Sequence, residues 1–182
     1  PSKLKNLVYE NPIQKNAGLD VYEAPQKDHN YLITVDVARG LGNDYSAFIV
    51  FDITNFPYKA VAKYRNNEIK PMLFPSIIDD IGKAYNKAFI LCEVNDIGDQ
   101  VASILNYDLE YDNLLMCSQR GRAGQVVGAG FSGKRSQLGV RTTAAVKKLG
   151  CSNLKTLLED DKILIIDYDI ISELTTFSQK HN

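Results

Sequence analysis

Tryptophan is absent from the 182-residue chain, histidine and methionine occur twice each, and cysteine three times. With only His29 and His181, a histidine metal cage or a Ser–His type of triad has no material to be built from. Cys92, Cys117 and Cys151 are odd in number and widely spaced. That excludes a disulfide scaffold and a cysteine zinc site, and fits a reducing compartment. No apolar run approaches the roughly 20 residues needed to span a bilayer. The opening PSKLKNLVYENP has neither an initiator Met nor an apolar signal core, so we expect a piece excised from a longer protein that is not secreted. The last absence is local: no Asp or Glu occurs between Asn113 and Leu158.

That acid-free stretch holds eight cations, Arg120, Arg122, Lys134, Arg135, Arg141, Lys147, Lys148 and Lys155. The other 13 Lys and Arg share the rest of the chain with all 22 acids, so the segment stands at +8 and the remainder at −9. A basic stretch inside an acidic protein points to a polyanionic partner, because Lys and Arg release counterions from phosphates. The plainer reading is a solvated charged face. The remaining composition, 45% hydrophobic and 24% charged, is that of one globular domain with an ordinary core.

Residues 1–27, with Pro12, Gly18 and Pro25, read as a linker or lead-in from a preceding domain, and residues 28–182 as the domain itself. YLITVDV, YSAFIVFD and YKAVAKYR are three strands on short connections, an antiparallel meander. Ile78, Ile81 and Tyr85 then recur at helical spacing, with Pro75 suited to a first turn. AFILCEV (88–94) is a continuous apolar run, the pattern of a strand buried on both faces. Asp96 is placed to cap a helix striped by Ile97, Val101, Ile104 and Leu105. NLLMC gives another buried strand, followed by a glycine-rich basic loop and a helix of about a dozen residues ending near Gly150. A short helix around Leu154–Leu158, a last strand KILII and a helix capped by Asp169 complete the chain. The order β-β-β-α-β-α-β-α-β-α predicts an α/β fold, one mixed sheet with the first strand inside it and helices on both faces.

Alternation along the first strand puts Leu32, Thr34 and Asp36 on one face, with Asp36 at the C-terminal end just before the glycine loop. Glu93 ends its own apolar strand in the same way. A lone carboxylate at the edge of a core is costly unless paired, hydrogen-bonded or bound to a cation. Two on adjacent strand ends repel, which raises a pKa or recruits a metal. Oxygen donors without His or Cys suit Mg²⁺ or Mn²⁺. Asp44, across the glycine loop, offers a third oxygen at the same edge. Taken singly, each acid also reads as a strand-end cap.

The segments YLITVDVARGLGNDYSAFIVFDI, FILCEVNDIGDQVASIL and DYDIISELTTFS together resemble the C-terminal nuclease domain of the large terminase subunit of T4-like phages. That domain has the ribonuclease H-like fold, and the similarity covers nearly the whole chain from about residue 20. The resemblance implies an endonuclease that uses two Mg²⁺ or Mn²⁺ ions to cut concatemeric double-stranded DNA at the start and end of headful packaging. It implies catalytic and metal-ligating roles for Asp36, Glu93 and Asp44. It implies the phage portal and the small terminase subunit as partners of the full-length protein, an ATPase motor upstream, and the cytoplasm of an infected bacterium as the location. We expect the isolated domain to be a monomer. The family's third catalytic aspartate follows the ELTTF segment, where this chain continues FSQKHN, so it is expected beyond Asn182.

Arg120, Arg122, Lys134, Arg135, Arg141 and Lys148 are the expected DNA-binding residues, with Arg141 and Lys148 seven apart on one helix face. GAGFSGKR (Gly128–Arg135) nearly spells a phosphate-binding loop, but Arg135 stands where a hydroxyl should meet Mg²⁺. A glycine-rich loop carrying cations explains the same letters. Two other readings compete. An actin-like or sugar-kinase-like ATPase also opens with a meander and a strand-end Asp, but normally needs two such domains. A non-catalytic DNA-binding or docking module would leave the acids merely structural.

Overall fold

The computed structural model describes residues 4, 6–119, 125–128 and 136–177. Its largest element is a sheet built on β3 (Tyr31–Asp36), β4 (Ser46–Asp52) and β5 (Tyr58–Asn66). These form the expected antiparallel meander, with Ile33 opposite Val50 and Val50 opposite Ala62. On the far side of β3 lies β6 (Phe89–Cys92), parallel to it with Val35 beside Cys92. β3 is therefore interior, as expected.

Residues 14–21, read above as part of a lead-in, instead extend this sheet. β1 (Gln14–Asn16) and β2 (Leu19–Val21) form a hairpin whose second strand pairs antiparallel with β5. Its turn is invisible to apolar periodicity because β1 is exposed throughout and contributes nothing to the core.

One face of the sheet carries the core. Tyr31, Ile33 and Val35 alternate inward along β3, meeting Phe48, Val50, Ala62, Tyr64, Ile90 and Cys92 from the neighbouring strands. β6 is fully buried on that face only, since Phe89 and Leu91 on the other are half-buried. α1 (Phe74–Ala84) covers the core with Pro75 in its first turn, and Phe74 stacks with Phe48 and Tyr64 at centroid distances of 6.1 and 5.6 Å. α2 (Gly98–Ser103) follows β6 and runs on into a π-helical turn, Ile104–Asp108. Val101 and Leu105 from this stretch are completely buried. Each fully buried large apolar side chain of this set contributes about 1.5–3 kcal/mol. Asp96 does not cap α2: the first turn has no side-chain cap, and Asp96 faces Arg39 instead.

The second half departs further from the pattern. Leu114 touches the large sheet through a single bridge to Ile90. The chain then leaves it, and β7 (Met116–Gln119) is the centre strand of a separate antiparallel sheet with β8 (Gln125–Gly128) and β9 (Ser136–Leu138). The glycine-rich segment read as a loop thus contains two strands. α3 (Ala144–Glu159) is one continuous 16-residue helix through Gly150, not two, with Thr143 accepting from the Val146 amide at its start. β10 (Ile163–Leu164) pairs in parallel with β5. α4 (Tyr168–Thr176) is capped by Asp167 rather than Asp169. It lies on the face opposite α1, where Lys63 reaches both Asp167 and Asp169. No described helix is long and apolar enough to cross a membrane.

Candidate active site

Asp36 is the last residue of β3, and the amide of Glu93 donates to the carbonyl of Val35 at 2.9 Å. Continuing the parallel register from Val35 and Cys92 sets Asp36 and Glu93 side by side. Both belong to the face opposite the core, in line with the half-buried Thr34 and Leu91. The strand alternation that fills the core thus also delivers two carboxylates to one sheet edge.

Asp36 is exposed by area, yet its carboxyl is crowded. Withdrawal from water, then the neighbouring Glu93 and Asp44 carboxylates, push its pKa up against the Val37 amide and the Lys147 ammonium, which pull it down. This is the electrostatic signature of acids assembled with too little compensating positive charge.

The Glu93 side is held by unusually close backbone packing. A methyl group on Gly98 would run into the Glu93 carbonyl, and one on Gly139 into the Cys92 carbonyl. Gly139 also has φ of +100°, a conformation other residues rarely adopt. Through it Val140 exchanges hydrogen bonds with Cys92 and Val94, so the small sheet joins the large one beside Glu93. The Asn95 amide donates both to Glu93 Oε1 at 3.0 Å and to the Thr142 carbonyl at 2.9 Å, while accepting from the Thr142 amide.

Beyond Asp36 the chain forms a loop closed at its base by Ser46, whose hydroxyl bonds both the amide and the carbonyl of Ala38. Gly40 and Gly42 take positive φ, and Gly42 is tied to Asn67. The loop encloses a pocket of about 400 Å³ lined by Asp36, Asp44, Arg39, Tyr45 and Asp96, among others. Arg39 and Asp96, both lining it, are joined by two bonds of 2.8 and 2.7 Å.

The structure therefore brings Asp36 and Glu93 together and sets Asp44 in the pocket that Asp36 also lines. Among the described residues, no group of three His, Cys, Asp or Glu is close enough to cage an ion. The donor set is entirely oxygen on this face, because Cys92 points into the core. Such a set fits a hard divalent cation that keeps several waters, and the crowding at Asp36 is what that cation would relieve.

Of the expected DNA-binding residues, Lys148 is exposed on α3, whereas Arg141 precedes the helix and does not share its face. Arg120, Arg122, Lys134 and Arg135 lie outside the described residues. Asn95 and Arg39 went unread in the sequence, and Lys147 was read only as one cation of the basic stretch, not as a neighbour of Asp36. Only the adjacency of Asn95 to Glu93 in CEVND hinted at any of them.

Comparison with known proteins agrees with this architecture. The chain is 20% identical to the large terminase nuclease of thermophilic phage G20c with bound magnesium, with a TM-score of 0.73, covering 100% of this chain and 81% of that one. The zinc-bound form of that nuclease gives 22% identity and a TM-score of 0.70 over 97% of this chain and 86% of the other. The large terminase nuclease domain of Thermus phage P74-26 gives 21% and 0.68, covering 100% and 79%. These likenesses identify the mixed sheet and its helices as the ribonuclease H-like fold. Residues 33–181 match the terminase RNaseH-like domain family, and the chain belongs to that family.

Proposed function

We propose that this chain is a metal-dependent endonuclease that hydrolyses phosphodiester bonds of double-stranded DNA during phage genome packaging, cutting concatemers at the beginning and end of headful filling. The observation that carries this reading is the pairing of Asp36 and Glu93 at the C-terminal ends of adjacent parallel strands. Asp36 and Glu93 would hold Mg²⁺ or Mn²⁺, with Asp44 contributing from the pocket and a further carboxylate after Asn182 completing the set. Two such ions, when bound, lower the pKa of the attacking water and stabilise the leaving oxygen. That G20c nuclease structures contain zinc, cobalt and magnesium supports a divalent site. The protein's own part is orientation: Asn95 fixes one Glu93 oxygen, and the Gly98 and Gly139 contacts fix the backbone that carries it. Lys147 and Lys148, exposed in the first turns of α3, suit phosphate contacts that position a duplex without reading its bases. In the full-length protein the domain would work beside an ATPase motor, the portal and the small subunit, in the host cytoplasm.

The test is conversion of supercoiled plasmid by the chain, and by a form carried on past Asn182, with Mg²⁺ or Mn²⁺. Metal-dependent cutting that disappears in both Asp36→Ala and Glu93→Ala is expected. Duplex binding without cutting by either form would remove the nuclease reading and leave a docking module.

A further inference from the structure

One row of side chains crosses four strands of the sheet on the face that carries the acids. Glu93 follows β6, Asp36 ends β3, Ala47 stands opposite Asp36 on β4, and Arg65 stands opposite Ala47 on β5. Because β3 and β5 are both antiparallel to β4, Arg65 near the end of β5 reaches the same sheet edge as Asp36. Two strand spacings separate them, about 10 Å. The only side chain in that row between them is the methyl of Ala47.

The Arg65 guanidinium lies 3.8 Å from the centroid of the Tyr45 ring, and Tyr45 lines the pocket with Asp36 and Asp44. Its ion-pair partner is Glu173 of α4 at 3.3 Å, itself 70% exposed. An ion pair so open to water contributes little to stability. The Arg65 backbone, by contrast, is firmly held: its amide donates to the Gly18 carbonyl, and Gly18, at φ +91°, packs directly against the Arg65 carbonyl. The hairpin β1–β2 therefore supports this position. A fixed backbone, a stacked guanidinium and a weakly held carboxylate together describe a planar cation waiting for an anion.

We infer that Arg65 is a phosphate-binding residue of the site, gripping a phosphate of the duplex strand next to the one presented to Asp36 and Glu93, with Glu173 occupying its guanidinium when no duplex is bound. This rests on the nuclease reading above. The geometry selects a nucleic-acid phosphate because the same edge carries the acids that would act on its neighbour.

The experiment measures duplex affinity by fluorescence anisotropy in EDTA, so that nothing is cut, across a salt series. The parent chain, Arg65→Ala, Arg65→Lys and Glu173→Gln are compared, each checked by thermal melting. Arg65→Ala should weaken binding several-fold and make the slope of log K against log salt shallower by about one. Arg65→Lys should keep the slope, and Glu173→Gln should bind as well as the parent or better. An unchanged slope in Arg65→Ala, or a loss in Glu173→Gln equal to that in Arg65→Ala, overturns the inference and makes Arg65 a strut for α4. Those outcomes leave plasmid cutting intact, whereas binding and cutting absent from both the parent and the form carried on past Asn182 overturn the nuclease reading and this inference with it.

Discussion

At the scale of single residues, the site depends on groups that hold the acids as much as on the acids. Asn95→Ala removes the bond to Glu93 Oε1 and the tie to Thr142 together. Loss of such a supporting contact typically costs about 10–100-fold in metal affinity or activity. The metal-concentration dependence of plasmid cutting should shift to higher concentration by that amount while the melting temperature moves little. A superimposable titration would make Asn95 a loop anchor only. Gly139→Ala should act the other way, lowering stability by about 1–3 kcal/mol through its positive φ and its clash with the Cys92 carbonyl. Chemical denaturation measures that directly. Asp36 and Glu93 were legible in the sequence because each ends an apolar run, so one-dimensional pattern and three-dimensional position coincide. Asn95 and Arg65 were not, because their meaning comes from partners far along the chain: Thr142 is 47 positions from Asn95.

At the scale of elements, the helices near the acid-bearing face bury few side chains, Ile171 of α4 and none of α3. α3 has no buried residue, so nothing in its pattern signalled that it continues through Gly150. That glycine sits in open space. Gly150→Ala should therefore stabilise the helix by about 0.5–1 kcal/mol, read as a higher unfolding midpoint with unchanged cutting. α4 is fixed by charge instead. The buried Asp167 accepts from the Ile170 amide and from Tyr22, and pairs with Lys63 at 2.7 Å. Burial raises its pKa, but the Lys63 ammonium, the Tyr22 hydroxyl and the Ile170 amide outweigh it and hold the carboxyl below the usual 3.8. A depressed carboxylate stabilises the fold above its unfolded value, and the contribution is lost as pH falls through the lower folded value. Asp167→Asn should cost about 3 kcal/mol near neutrality. Its melting-temperature gap from the parent should close on acidification below about pH 4. A gap independent of pH would mean that packing, not charge, holds α4. Sequence reading assigned this cap to Asp169 because both acids precede the same apolar stripe, and only the fold decides between them.

Across the whole molecule, the meander, the β6 crossover and α1 were readable because burial dictates their residues. The hairpin at residues 14–21 was not, nor were β8 and β9, which draw the strand expected at NLLMC into a separate sheet, since short strands leave no period to detect. The two sides of the large sheet also differ in what supports them. One is sealed by the Phe48, Tyr64 and Phe74 stack, the other by ion pairs, the buried Ile171 of α4 and a helix without buried side chains. Amide hydrogen exchange should accordingly find α3 opening first and β3, β4 and β5 last. The division has a further consequence, written into β3, β4 and β6 as a stripe of period two. In a saturation scan, truncating Ile33, Val35, Phe48, Val50 or Ile90 should deplete variants by unfolding them, whereas changing Asp36 or Glu93 should yield abundant, well-folded and inert protein. Tolerance would flip between Val35 and Asp36, so that two adjacent codons would answer to two different selections.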